Sequence, residues 1–136
     1  MKEELKISTV FPVSAKVIYD AWLDSKEHSR LSGGKAVIQP WQGGKFKAWD
    51  GYISGKNIKL QPYARIVQSW RTTEFQKDDI DSRIEILLEK TQGGTRFTLI
   101  HKDIPEGQGK KYEKGWKDFY LKPMKDYFKK ESKTKS

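Results

Sequence analysis

Cysteine and histidine, two side chains much used in acid–base and metal chemistry, are scarce in this chain. The sequence has no cysteine, which excludes disulfides and thiolate metal ligands, and it has two histidines. His101 alternates with Phe97 and Leu99, so it is expected to point inward near the end of a strand, where it could make a polar contact inside a pocket. His28 follows an acidic stretch and is interpreted as a surface residue.

Sequence motifs for catalysis are also missing. The segment GYISGKN resembles a phosphate-binding loop, but its glycine-to-Gly-Lys spacing is one residue short and Asn57 stands where a magnesium-binding hydroxyl is needed. Nucleophile-elbow, HExxH and calcium-loop patterns do not occur. The carboxylates at Asp78, Asp79 and Asp81 fall on a polar turn and are interpreted as solvated. The sequence therefore predicts no catalytic residues, cofactor or metal.

Aromatic residues are the feature that favours binding. They make up 12% of the chain and include five tryptophans. A concave, mostly apolar space with a few polar tips is the usual form of a small-molecule site. The predicted ligand contacts, with Tyr120 and His101 as polar tips beside tryptophan indole N–H groups, are Trp70, Phe97, His101, Trp116, Phe119, Tyr120 and Met124. A fully packed core is the alternative, because periodicity does not report volume.

Local patterns predict the elements that position these residues. Residues 5–11 form a first strand that ends at Pro12. Ser14 is expected to cap one short helix, and Asp24 with Glu27 to open a second. Asp50-Gly51 predicts a hairpin with a tight primed turn.

Two segments have clear hydrophobic periods. IDSRIEILLEK alternates as a half-buried strand does, with its inner face predicted to hold Ile80, Ser82, Ile84, Ile86 and Leu88. A helical stripe follows near the C-terminus, consisting of Tyr112, Trp116, Phe119, Tyr120, Met124, Tyr127 and Phe128. Pro123 interrupts that helix, and a kink is expected there.

Together these elements predict an α+β helix-grip fold. A curved antiparallel sheet of about six or seven strands would hold the long C-terminal helix on its concave face, and two short helices would close one end. Residues 1–130 are expected to form a single domain and residues 131–136 a disordered basic tail.

The net charge of +9 and the isoelectric point near 9.6 raise the question of an acidic partner. Most lysines stand among acidic residues, as in KEEL and DSKEH, which favours an ordinary solvated surface. Trp49, close to the lysines at positions 45 and 47, is the one grouping suited to nucleic acid, so that function is unfavoured. No apolar run is long enough to span a membrane and no signal peptide is recognised, so a cytoplasmic monomer is expected.

Four stretches together resemble a known family. They read VIYDAWLDSKEHSRLSGG, GGKFKAWDGYISGKNIKLQPYARIVQSWR, GGTRFTLIHKDIP and KGWKDFYLKPMKDYF, and the resemblance covers roughly residues 7 to 128. They are similar to the C-terminal domain of the activator of the 90-kDa heat-shock protein ATPase, within the START-like, birch-pollen-allergen-like superfamily. The resemblance implies the helix-grip fold.

The function stays open between several classes. The favoured hypothesis is a non-catalytic domain that holds a hydrophobic or aromatic small molecule between the sheet and the C-terminal helix. The alternative, implied by the resemblance, is a protein-interaction module that modulates a heat-shock chaperone ATPase. An enzyme is a further hypothesis that rests on superfamily analogy alone.

Overall fold

The computed structural model describes the backbone of residues 1–135 and the side chains of residues 1–132. Seven strands follow one another along the chain: β1 (Glu3–Phe11), β2 (Val37–Ile38), β3 (Lys45–Ala48), β4 (Ile53–Gln61), β5 (Arg65–Thr72), β6 (Ser82–Thr91) and β7 (Gly94–Ile104). The α-helices are α1 (Ala15–Leu23), α2 (Ser25–Ser32), α3 (Gly109–Trp116) and α4 (Lys122–Lys135).

One antiparallel sheet contains all seven strands, in the order β1-β7-β6-β5-β4-β3-β2. Strands β2 to β7 form a meander, and β1 joins it by pairing with β7. A register shift between Asn57 and Lys59 in β4, and another near the start of β1, interrupt the ladders. Such bulges bend a strand and increase its twist.

The two short helices begin at the caps that the sequence predicts. Ser14 accepts a hydrogen bond from the Val17 N–H at 3.3 Å, and Asp24 accepts one from the Glu27 N–H at 2.9 Å. Helix α2 ends at Gly33, whose left-handed φ of 86° closes the helix without the strain of a Cβ. Both caps satisfy N–H groups that have no partner within their helix.

The β3–β4 hairpin forms, but with a longer turn than predicted. Ala48 pairs with Ile53, so four residues connect the strands instead of two. Trp49, Asp50 and Gly51 all have positive φ, at 53°, 57° and 93°. The extra residues bring the Trp49 side chain back over the sheet, where it contacts the C-terminal helix.

The C-terminal helix has a π turn at Lys117–Leu121 between α3 and α4, just before the position where a kink at Pro123 is predicted. The Lys122 N–H bonds to the carbonyl of Lys117, five residues back. Pro123 has no N–H to offer the carbonyl four residues before it, which favours a local change in the ladder. Helix α4 continues to Lys135 where a disordered tail over 131–136 is predicted; Ser136 lies outside the described residues, and the domain boundary at 130 stays a prediction.

The core lies between the inner face of the sheet and the C-terminal helix. Alternate residues of β6 are buried as predicted, from Ser82 to Leu88, and they face the buried helical residues, which are Tyr112, Trp116, Tyr120, Met124 and Phe128. Ile80 is the exception: its side chain is 62% exposed, because β6 begins only at Ser82 and Ile80 belongs to the preceding turn. The predicted α+β helix-grip architecture is confirmed.

Candidate functional site

A cavity of about 360 Å³ lies between the sheet and the first half of the C-terminal helix. Strand β5, the β3–β4 turn with the start of β4, and helix α3 with the π turn enclose it. The lining residues are Trp49, Tyr52, Ile53, Trp70, Lys111, Tyr112, Gly115, Trp116, Phe119 and Tyr120. Seven of these ten residues are aromatic, so the walls are large and apolar.

The aromatic rings hold one another in place. Trp116 lies with its ring centre 5.6 Å from Trp70 and 5.0 Å from Tyr120. Across the mouth, the rings of Trp49 and Phe119 meet edge to face at 5.6 Å. Phe119 is 58% exposed, so this pair forms the edge of the cavity that faces solvent. Edge-to-face and offset contacts of this kind add to the stability that apolar burial provides.

Two glycines give the cavity its shape. A Cβ on Gly34 would lie 2.4 Å from the Trp49 indole, so the indole lies directly against the Gly34 backbone. A Cβ on Gly115 would meet only the Phe119 ring, at 4.0 Å. Space beside Gly115 is therefore open, and the missing side chain leaves room in the cavity.

Polar groups gather at the end of the cavity near Lys111. The Tyr52 hydroxyl donates a short hydrogen bond to one Glu74 oxygen, and Lys111 Nζ donates to the other at 2.5 Å. The hydrogen bonds from Lys111 and Tyr52 lower the pKa of Glu74 below its ordinary value, and the bond from Lys111 has the larger effect. The Tyr112 hydroxyl donates to Gln108 Oε1 at 2.5 Å and lies 2.7 Å from Thr72 Oγ1.

His101 supports the two tryptophans from behind. The Trp116 indole N–H, which can only donate, bonds to His101 Nδ1 at 3.1 Å. His101 Nε2 therefore carries the proton and donates to Ser82 Oγ at 2.9 Å, while the Ser82 hydroxyl donates to the Trp70 carbonyl at 2.6 Å. Burial lowers the pKa of His101 to about 3, so the ring is neutral.

His28 supports Tyr120 in the same way, and its predicted surface position is wrong. The Trp22 carbonyl can only accept, so His28 Nδ1 donates to it at 2.8 Å and Nε2 accepts from the Tyr120 hydroxyl at 2.9 Å. Burial lowers the pKa of His28 to about 4. The signal was present in the sequence: His28, Leu31 and Ser32 recur at helical spacing and are the buried face of α2.

The structure brings four of the seven predicted ligand contacts to the cavity, namely Trp70, Trp116, Phe119 and Tyr120. Phe97, His101 and Met124 do not line it, because their side chains are fully buried in the packed core. The predicted polar tips are engaged by protein partners: Tyr120 bonds to His28, and His101 bonds to Trp116 and Ser82. The ligand role of the four lining residues stays a prediction.

Sequence reasoning missed several lining residues, among them Tyr52, Lys111 and Gly115. It also placed Trp49 on the solvent face as a contact for nucleic acid. Trp49 is half-buried and packs on Phe119, because the left-handed turn reverses its direction relative to β3. Lysines 45 and 47 alternate with buried residues and point away from the core, so the predicted grouping does not form.

Among the described residues, no three histidine, cysteine, aspartate or glutamate side chains are placed to hold a metal ion. In the same part of the chain, no helix is long and apolar enough to cross a membrane.

The sheet order, the two short helices and the C-terminal helix packed on the sheet define a helix-grip domain. An Hsp90 activator from Plasmodium falciparum has a similar crystal structure, with a TM-score of 0.83 at 23% identity over 91% of this chain and 94% of that one. CalU16 from Micromonospora echinospora superimposes with a TM-score of 0.74 at 21% identity, over 98% of this chain and 83% of that one. At these identities the likeness concerns the fold alone.

The chain belongs to the family described as Activator of Hsp90 ATPase homolog 1-like protein, whose model matches residues 12–129. It is 28% identical, over 95% of its length, to an activator of 90 kDa heat shock protein ATPase homolog from Dictyostelium discoideum. It is 22% identical, over 92% of its length, to the activator of 90 kDa heat shock protein ATPase homolog 1 from Homo sapiens. The chain spans about a third of these curated relatives, 34% and 37% respectively.

Proposed function

We propose that this domain binds an apolar, aromatic small molecule in the cavity between its sheet and its C-terminal helix, and that it does so without catalysis. The observation that carries the proposal is the cavity itself, about 360 Å³ with seven aromatic residues among its ten lining residues. Small-molecule sites commonly measure roughly 300–1,000 Å³ and are lined by apolar side chains with a few polar groups.

The arrangement of the walls supports recognition of a flat ligand. Trp70, Trp116 and Tyr120 are each at least 95% buried and are fixed by neighbours on the side away from the cavity. The parts of these side chains that line the cavity can contact an aromatic ring without ordering a mobile side chain first. Binding to such a rigid site loses less conformational entropy than binding to a flexible one.

The condition of the two histidines supports a non-catalytic function. A general acid or base must reach the reacting group and exchange its proton near the working pH. His28 and His101 are buried, are bonded through both ring nitrogens, and have pKa values of about 4 and about 3. Both act as fixed supports for the cavity wall.

Gly115→Leu tests the proposal by filling the cavity. The new side chain enters open space on the helix, where a Cβ meets only the Phe119 ring at 4.0 Å, and leucine also favours the helix over glycine. We expect the variant to fold and to lose binding of planar probes such as 2-naphthamide. Binding is measured as chemical-shift changes of residues 112–120 in amide NMR spectra.

Lys110→Leu is the matched control, since Lys110 is exposed on the same helix and does not line the cavity. It adds a leucine to the surface and should leave probe binding intact. If planar aromatic probes left the amide spectrum of the wild-type protein unchanged, that result would contradict the proposal.

A chaperone interaction is the second candidate. It is favoured by the family membership and by the names of the relatives, which are activators of the 90-kDa heat-shock protein ATPase. A charge-driven contact between this basic chain and an Hsp90 protein should weaken as salt rises, and Gly115→Leu should not affect it. Titration calorimetry at two salt concentrations with both proteins distinguishes this function from cavity binding.

A further inference from the structure

We infer that the ligand of the cavity is an anionic aromatic molecule, an aryl carboxylate whose charged group is held by Lys111. The inference rests on the proposed function and adds to it the chemical class of the ligand. Among the ten lining residues, Lys111 is the one with a formal charge, and that charge is positive.

Lys111 retains hydrogen-bonding capacity. An ammonium group has three N–H donors, and one of them is directed to Glu74 Oε1 at 2.5 Å. The ammonium also lies 5.3 Å from the centre of the Tyr112 ring, which places it at the edge of the cavity. The side chain is 45% exposed, so its remaining donors can turn toward a ligand without leaving Glu74.

The tyrosine hydroxyl protons of the lining are already committed. Tyr52 donates to Glu74, Tyr112 donates to Gln108, and Tyr120 donates to His28. The acceptors that remain on the walls are neutral phenol oxygens. Lys111 is the charged lining residue, and it has N–H groups left to donate. A ligand group that accepts hydrogen bonds is therefore favoured over one that donates them.

Glu74 is the group that opposes an anion here. Both of its oxygens accept hydrogen bonds, from Lys111 and Tyr52, and these bonds compensate part of its charge. The other acidic residues of the first helical turns are paired elsewhere: Glu113 with Lys117 at 3.2 Å, and Asp118 with Lys122 at 2.9 Å. A ligand carboxylate would therefore share Lys111 with Glu74, as two carboxylates often share one cation.

A matched pair of probes tests the inference. The 2-naphthoate ion and neutral 2-naphthamide have the same ring system and nearly the same shape, and they differ in charge. We expect wild-type protein to bind the naphthoate about fivefold more tightly at low salt, as suits one partly exposed charge-assisted contact. The preference should shrink at high salt, and both affinities are measured by quenching of tryptophan fluorescence.

Two single variants should change this preference in opposite directions. Lys111→Gln should abolish it by weakening naphthoate, whereas Glu74→Gln should increase it by removing the competing carboxylate. In both variants the affinity for naphthamide should change less than the affinity for naphthoate. Both side chains of this pair are nearly half exposed, so the variants are expected to fold, which circular dichroism verifies.

The outcomes separate the inference from the proposed function. Equal binding of the two probes, or tighter binding of naphthamide, would overturn the anionic ligand and leave cavity binding intact. A naphthoate preference that survives in Lys111→Gln would also overturn it, because another cation would be responsible. Failure of both probes to bind would count against the cavity function itself.

Discussion

The two buried histidines are residues whose charge state is set entirely by the fold. His101 stands behind Trp70 and Trp116, and His28 stands behind Tyr120. A proton added to either ring would change an acceptor nitrogen into a donor facing a group that already donates. The hydrogen bonds that hold Trp116 and Tyr120 in the cavity wall therefore depend on both rings staying neutral.

This dependence predicts how stability varies with pH. The folded pKa values, about 4 for His28 and about 3 for His101, lie below the ordinary value of 6.5, so the unfolded chain takes up protons first as pH falls. The free energy of unfolding should be at its full value above about pH 6.5 and fall toward pH 4, by up to about 1.4 kcal/mol per pH unit for each histidine. Urea denaturation across this range measures it.

His101→Asn is the informative variant for that measurement, since its amide oxygen can replace Nδ1 as the acceptor for Trp116. We expect lower stability than wild type at pH 7 but a shallower loss between pH 6.5 and 4.5. A wild-type stability that is flat across this interval would contradict the assignment of neutral buried rings.

Single residues show what sequence patterns can and cannot report. The inward position of His101 followed from its alternation with Phe97 and Leu99, and the structure has it there. Helical spacing indicated that His28 is buried, but the acidic residues beside it in the sequence favoured a surface position. The position of Trp49 was not readable, because three consecutive positive φ angles direct it and no periodic pattern describes them.

At the scale of elements, the π turn determines which side chains of the C-terminal helix line the cavity. The stripe from Tyr112 to Phe128 predicted the helix and its buried face, but it included both Phe119 and Tyr120. The π turn adds one residue to its turn, so Tyr120 takes the buried position and Phe119 moves to the cavity mouth at 58% exposure. A regular 3.6-residue period cannot anticipate this shift, although Pro123 indicated its location.

The contact between the end of helix α2 and the β3–β4 turn provides an element-scale prediction. Gly34→Ala would place a Cβ 2.4 Å from the Trp49 indole, so the indole must move and the cavity wall with it. We expect a loss of about 1–3 kcal/mol in stability, as for other overpacked sites, together with weaker probe binding. Urea denaturation and fluorescence titration measure the two effects.

The neighbouring Gly33→Ala is the control for that change. Gly33 has a φ of 86°, and a Cβ added there would have no neighbour within 4 Å, so the variant introduces backbone strain without a steric clash. It should lose stability without losing probe affinity. If the two variants reduced probe affinity equally, displacement of Trp49 would not be the cause.

For the whole molecule, the sequence was a better guide to the fold than to the site. Strand alternation, caps and the helical stripe each state which face of an element is buried, and the antiparallel sheet with its gripped helix follows from satisfying them together. A cavity is a difference between enclosed volume and side-chain volume, and it depends on Gly115 and on the path of the β3–β4 turn. Neither quantity is visible in a hydrophobic period.

The molecule as a whole should become more stable when the cavity is occupied. A ligand that binds only the folded state adds about 2.7 kcal/mol at one hundred times its dissociation constant, which for a chain of 136 residues corresponds to about 8–10 °C in melting temperature. We expect 2-naphthoate to produce this shift in wild-type protein and in Lys110→Leu, and to produce none in Gly115→Leu. Calorimetric melting curves measure it. An equal shift in Gly115→Leu would mean that the ligand binds outside the cavity.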